Sequence, residues 1–403
     1  MGDGRKRVNI CRKELIRYIS GANNLKRQMS LTIERVQTAR QLRKFINFPL
    51  WLYKNMPAFV PSLYMDEKDT LSPKKNPAYD FCDAAMFLAI KDGQVVGRVA
   101  AIVNRRANEK WQHDEVRFGW FDFIDDREVS ELLLDQVVAF GKERGMTKIV
   151  GPLGFTDFDP EGMLVDGYDQ MSTMALHHNW PYYKDHVEAL GYEKEVDWLE
   201  YKVYVPSEVP DKYTRVGALV KERYGLHIRK ITRKDVRNGI GYKLFDLINE
   251  TYSSIYNFTI LPKKMIDKYV GFYLGVLDLK FVTLVEDSEG KLVGFGITMP
   301  SITRALKKCN GRLFPFGWFH VLKSMYFKYE ENIEMLLIGV TEEYRKKGVS
   351  ALIFSDLMRI FINSGFTYAE TNAELENNYA VRAQWMELDY EQCKRRRVYW
   401  KTI

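Results

Sequence analysis

Two stretches of the chain alternate apolar and polar residues in the manner of paired strands. In MFLAIKDGQVVGRVAAIVN (86–104) the alternation breaks at Asp92-Gly93, a hairpin-turn dipeptide. FVTLVEDSEGKLVGFGITM (281–299) repeats the form, with Val293-Gly294 echoing Val96-Gly97. In both places a strand, a turn and an amphipathic helix come next. The helix over 127–144 sets Val129, Leu132, Leu133, Val137 and Phe140 on one face, and that over 349–364 does the same with Ile353, Leu357, Met358 and Phe361. Each stops at a glycine, Gly145 or Gly365, a common helix C-terminus. A further strand follows each helix, MTKIVGP and FTYAETN, and the endings EALGYEKEVDWLEYKVYV (188–205) and MELDYEQCKRRRVYWKTI (386–403) correspond. The pattern is one βα unit written twice.

At 403 residues the chain is too long for one ordinary core. The division read from the pattern is a basic leader at 1–28, a first domain at 29–205, a linker and helix at 206–225 marked by Pro206 and Pro210, and a second domain at 226–403. The leader reads as a basic tail or as an extension upstream of the true start. It holds eight Lys/Arg against Asp3 and Glu14, and so accounts for six of the seven net positive charges. The remaining body is nearly neutral, which argues against nucleic acid as a partner. No apolar run approaches the roughly 20 residues needed to span a bilayer. Cys11, Cys82, Cys309 and Cys393 lie far apart, as reduced cytosolic thiols do, and neither they nor the six histidines have metal-ligand spacing, so no metal is expected.

The chemistry concentrates between Ile338 and Ile360. A strand ends at Val340, and a basic turn, Arg345, Lys346, Lys347, Gly348, Val349, Ser350, leads into the helix. A helix N-terminus attracts phosphate through its unpaired N–H groups and dipole. Glycine at 348 permits a backbone conformation that side chains disfavour, and small Ser350 admits a ligand close to the backbone. This arrangement has the form of a pyrophosphate cradle, and its Arg-x-x-Gly-x-small spacing resembles the acyl-CoA loop of the GCN5-related N-acetyltransferase (GNAT) family.

The resemblance extends over 29–403 as a tandem pair, so the implied fold class is α/β (an α+β mixed sheet) in two GNAT-like domains. FVPSLYMDE, KNPAYDF, GPLGF…DPEGMLVDGYD…PYY, FPFGWFHVLKSM and the RRR-x-Y ending resemble a subgroup of two-domain bacterial acyltransferases that includes bacterial ceramide synthases. Only the second copy suits CoA. Aligning the units sets Asp125 opposite Arg345 and Glu128 opposite Gly348, and carboxylates at a phosphate cradle repel the ligand. Asp125-Asp126 reads instead as a helix cap.

The family pattern implies that backbone N–H groups of Leu337, Ile338 or Val340 help to bind the thioester and its oxyanion. It also implies that Asn378 and Trp385 contact the cofactor, though Asn378 equally fits a helix cap. Trp385 stands where many relatives carry a tyrosine able to protonate the leaving thiolate, and indole has no useful acid. Glu370 and Asn372, two apart on one strand, face the same side of the sheet as catalytic candidates, with Glu370 accepting the amine proton. His178, Asn179, Tyr182 and Tyr183 are candidates for the acceptor site. So is the loop-rich segment with Phe155, Asp157, Asp159 and Asp166, which is long for a bare connector. Lys394–Arg397 reads as a solvated strand, a phosphate clamp for CoA or a membrane-facing patch. LFPFGWFHVLKSMYF (313–327) reads as core, as a tunnel lining or as a surface that dips into a bilayer.

The expected activity is direct transfer of an acyl group from acetyl-CoA or a longer acyl-CoA to an amine, and the subgroup resemblance implies a lipid or sphingoid-base amine. The expected location is cytoplasmic, peripheral at the inner membrane face if the acceptor is a lipid. A small-molecule N-acetyltransferase acting on an amino acid or amino sugar is one alternative. A catalytically silent acyl-CoA-binding protein is another.

Overall fold

The computed structural model describes residues 31–403, Met386 excepted; the leader at 1–28 lies outside the described residues. The first half contributes β1 (Leu31–Arg35), β2 (Cys82–Lys91), β3 (Gln94–Asn104), β4 (Glu115–Phe123), β5 (Lys148–Gly151), β6 (Met163–Asp166) and β7 (Glu193–Tyr204). The second contributes β8 (His227–Arg229), β9 (Val282–Glu286), β10 (Leu292–Pro300), β11 (Asn332–Val340), β12 (Tyr368–Thr371), β13 (Glu374–Leu375) and β14 (Tyr390–Thr402). Both expected hairpins are present as β2–β3 and β9–β10. The first turns through Asp92 and Gly93 at φ 52° and 79°.

The helices that matter to the site are α1 (Arg127–Lys142), α2 (Asp211–Tyr224), α3 (Ile240–Tyr252) and α4 (Val349–Ser364). The repeated Val-Gly of the hairpins has a packing reason. A Cβ on Gly97 would lie 2.7 Å from the Leu133 Cδ1 of α1, and one on Gly294 would lie 3.3 Å from the Ile353 Cδ1 of α4. In each half a bare backbone lets the helix settle onto the sheet.

All described strands join one mixed sheet, ordered β1-β2-β3-β4-β5-β14-β7-β12-β11-β10-β9-β8, with β6 on β14 and β13 on β7. The order contains an exchange. β14 from the second half pairs antiparallel with β5 of the first, and β7 from the first half pairs antiparallel with β12 of the second. The exchanged strands also pair with each other from Tyr390–Val203 to Trp400–Glu193. The chain segments 29–205 and 226–403 therefore do not coincide with separate sheets.

Charge fixes the register of this central pair. Lys394 and Arg396 are wholly buried rather than solvated. Arg396 Nε donates to Glu200 at 2.6 Å, and Lys394 Nζ lies 3.1 Å from Glu200 and against Glu370. On the opposite face Arg395 and Arg397 pair with Asp197 at 3.0 and 2.8 Å. A slip of one residue would turn Lys394 and Arg396 away from Glu200 and bury that carboxylate unpaired.

Candidate active site between two parallel strand pairs

β4 and β5 run parallel, as do β11 and β12, and both pairs stop at equivalent points. The last contacts are Leu153 N–H to Phe118 O at 2.9 Å in the first half and Asn372 N–H to Met335 O at 3.0 Å in the second. Beyond them the strands diverge and leave backbone groups to be satisfied from elsewhere.

In the first half protein side chains take those groups. The Tyr183 hydroxyl accepts from Phe123 N–H at 2.8 Å, and the Tyr182 hydroxyl donates to Phe123 O at 2.6 Å. Tyr183 also meets the Tyr53 hydroxyl at 2.8 Å, and Tyr53 donates to Asp122 at 2.5 Å. The N-terminus of α1 is closed too. The Asp126 carboxylate accepts from Glu128 N–H at 3.1 Å and pairs with Lys91 at 2.7 Å. An internal carboxylate stands where an anionic ligand would sit.

The second half also holds its strand end with a tyrosine, the Tyr252 hydroxyl accepting from Ile338 N–H at 3.2 Å, but its helix N-terminus is open. Gly348 caps α4 at φ 81° with no side-chain hydrogen bond, so the first-turn amides have no internal carboxylate. A Cβ at Gly348 would lie 3.0 and 3.2 Å from Val216 and Val220 of α2. The remaining cradle residues have separate tasks. Arg345 donates to Thr251 O at 2.9 Å and braces the loop against the end of α3. Lys346 is exposed, and Lys347 lies 4.2 Å from the Tyr344 ring centre and pairs with Glu343. Val349 is buried and Ser350 half-buried at the start of α4. Val340 is buried and accepts from Arg345 Nε at 3.4 Å.

Beside the divergence of β11 and β12 opens a cleft of about 290 Å³. Leu337, Ile338, Asn372, Asn378 and Trp385 all line it. Asn378 caps a helical turn by accepting from Val381 N–H at 3.4 Å. Trp385 is buried, and its indole N–H faces no acceptor. A further wall is apolar, with Phe245, Ile248, Phe258, Leu277 and Ile297. The carboxylates of Asp157, Asp159 and Glu161 reach the same space from the first half.

Burial shifts all three carboxyls upward. Burial pushes Asp157 up to about 6 despite the opposing field of Arg117, and its Oδ2 accepts from Thr259 N–H at 3.3 Å. Asp159 is likewise raised by burial to about 6, while its Oδ2 accepts from Thr156 N–H at 3.0 Å. Glu161, raised well above its ordinary value by burial and then by Asp157, is hydrogen-bonded to that aspartate. Glu374 of β13 also lines the cleft, with Oε2 buried and lacking a hydrogen-bond partner. Burial lifts it to about 9, so it is a neutral acid at pH 7.

Glu370, expected at the site, is buried away from the cleft lining in its ion pair with Lys394. His178, Asn179, Tyr182 and Tyr183 also lie outside the lining of this cleft. His178 sits between Asn179 O and Tyr168 O at 3.1 and 3.0 Å, and burial lowers it to about 4. Asn179 bonds both the N–H and the C=O of Leu164, which holds β6 in place. Asp157 and Asp159, singled out by the length of their loop, do reach the cleft. Glu161, Glu374 and Tyr252 carried no sequence signal beyond residue type.

No family model matches the chain. It is similar to protein YghO of Escherichia coli, 28% identical over 366 residues that cover 90% of this chain and 93% of that protein. It is also similar to the bacterial ceramide synthase of Caulobacter vibrioides, 25% identical over 389 residues that cover 93% and 98% of the two chains. Among solved structures, it resembles a tandem GNAT protein from the clavulanic acid biosynthesis pathway, with TM-score 0.52, 12% identity and coverage of 93% and 98%. It also resembles the GCN5-related glucosamine N-acetyltransferase region of a fungal multi-domain β-N-acetylglucosaminidase, with TM-score 0.56, 12% identity and coverage of 93% and 38%. The chain is thus a tandem protein of the GCN5-related N-acetyltransferase fold, with a tyrosine hydroxyl at each of its two strand divergences and a cleft beside the second.

Proposed function

We propose that this protein is a CoA-dependent N-acyltransferase that passes an acyl group directly from acyl-CoA to an amine carrying a long hydrocarbon portion. The observation that carries the reading is the composition of the cleft. Strand backbone, an unpartnered indole N–H, apolar side chains and carboxylates all line one space. The similarity to a ceramide synthase over nearly the whole chain supports a lipid amine, in particular a sphingoid base.

The α4 N-terminus at Gly348–Ser350 would hold the pyrophosphate and the strand edge at Leu337–Ile338 the pantetheine arm. An acceptor enters as an ammonium, which the Asp157–Glu161 pair attracts and deprotonates; Asp157, lifted by burial to about 6, is the base. The free amine then attacks the thioester carbonyl, the nitrogen of the tetrahedral adduct loses its surplus proton to solvent, the C–S bond breaks, and the thiolate leaves. Neutral Glu374 is the proton source for that thiolate in place of the missing tyrosine. A lipid acceptor brings the enzyme to a membrane surface on the cytoplasmic side.

The test is release of free thiol from acetyl-CoA and palmitoyl-CoA across a panel of amines including sphinganine, an amino acid and an amino sugar, with products identified by mass spectrometry. Palmitoyl-CoA with sphinganine is the expected productive pair. Turnover with the water-soluble amines alone would replace the lipid reading by small-molecule acetyl transfer. Tight CoA binding with no release from any pair would leave a silent binding protein.

A further inference from the structure

The stretch from Thr303 to Lys328 has two unlike sides. Inward, Leu306, Val321 and Met325 are buried in the same core cluster as Leu277 and Ile297 of the cleft wall. Outward, Phe314, Phe316, Phe319 and Phe327 are 72%, 75%, 56% and 84% exposed, and Trp318 and Leu322 are exposed beside them. Such a concentration of solvent-facing rings marks an interaction surface rather than ordinary surface apolarity.

Charge identifies what the surface meets. From Arg304 to Lys328 the sequence has six Lys/Arg and no Asp or Glu. Arg304 pairs with Glu331, whereas Lys308, Lys323 and Lys328 are exposed on the same stretch as the rings. Apolar rings flanked by lysines without intervening acids match the boundary of an anionic bilayer, where rings reach acyl chains and ammonium groups reach phosphates. Among the described residues no helix is long and apolar enough to cross a membrane, so this contact is with one face.

We propose that the Thr303–Lys328 stretch is a membrane-docking surface that seats the protein on a bilayer rich in anionic phospholipid. The inference rests on this surface alone and goes beyond the acyl-transfer reading.

The test is co-sedimentation of the full chain with vesicles of phosphatidylglycerol and phosphatidylethanolamine, beside vesicles of phosphatidylcholine. Wild type is expected to pellet with the anionic vesicles, to remain largely in solution with the neutral ones, and to be released substantially at about 0.5 M salt. The triple variant Phe314→Ser, Phe316→Ser, Phe319→Ser is expected to lose about tenfold or more in partitioning. Lys308→Glu with Lys323→Glu and Lys328→Glu should abolish the preference for anionic lipid. Both variants should keep the wild-type melting temperature and CoA affinity. Wild type left in solution with anionic vesicles would overturn the proposal, as would a ring variant that pellets like wild type. So would a wild-type dimer that the ring variant converts to monomer, since the patch would then join two copies of the chain.

Discussion

The Tyr252 hydroxyl accepts from the Ile338 amide at 3.2 Å and donates to the Ile338 carbonyl at 3.1 Å, so one side chain from α3 holds both polar groups of a residue beside the divergence of β11 and β12. This is the second half's counterpart of Tyr183 on Phe123, with one difference: Tyr252 and Ile338 line the cleft. An acyl thioester seeking the Ile338 amide meets that hydroxyl first. Tyr252→Phe should lower unfolding free energy by about 0.5–1.5 kcal/mol in urea titration, because a half-buried amide and carbonyl lose their shared partner. Saturating acyl-CoA should recover part of that loss, and an equal deficit with and without ligand would remove Ile338 from the acyl site.

The carboxylate pair predicts a pH profile. With Asp157 near 6, kcat/KM should rise as pH climbs through about 6 and then level off. Asp157→Asn and Glu161→Gln should each cut kcat by about 10²–10³-fold without changing CoA affinity in calorimetry. Stability should respond in the opposite sense. A carboxyl raised on folding favours the native state below its unfolded pKa and loses that advantage as pH rises through its folded value. Asp157→Asn should therefore melt above wild type at pH 8 while losing activity.

Glu374 should supply the descending limb. If its proton reaches the thiolate, activity falls as pH passes about 9, and Glu374→Gln loses turnover while retaining acyl-CoA binding. A variant with unchanged kcat would mean that the thiolate departs unaided, which a thiol pKa near 8.5 permits.

Gly348→Ala should weaken CoA binding and cost about 1–2 kcal/mol, since alanine is strained at φ 81° and its Cβ crowds Val216 and Val220. Asp125→Lys, at the equivalent loop of the first half, should leave CoA affinity unchanged. Parallel losses in titration calorimetry would mean that cofactor binding is not confined to the second half.

The buried ion cluster sets the acid limit of stability. Burial alone would raise Glu200, but Lys394 and Arg396 more than offset it and hold the carboxylate below its usual range. Its contribution is present above the unfolded value near 4.5 and disappears as pH falls through the lower folded one. Lys394→Met should destabilise by about 3–5 kcal/mol and move the acid-unfolding midpoint to higher pH, read by circular dichroism.

The hairpins, α1, α4 and the terminal glycines were legible because local period and turn chemistry specify them within a few residues. The exchange of β7 and β14 was not, since each strand's alternation fits either neighbouring edge. Its only trace is the acidic pair Asp197 and Glu200 in one strand against Lys394–Arg397 in the other. Glu370 looked like a site residue because strand parity puts it on a sheet face. Parity cannot reveal that the face holds Lys394. Asp157 and Asp159 were visible through the length of their loop, whereas Glu374 and Tyr252 depend on burial that only the tertiary fold creates.

The exchanged strands also bear on synthesis. On a ribosome the first half emerges as far as β7 with the edge of β5 still waiting for β14, which is translated after every other strand of the second half. The native sheet of the first half is therefore complete only once the last strand of the second has been made. The nascent first half carries an open sheet edge until β14 appears, and a fragment cut at the linker should require holdase protection rather than behave as a stable domain.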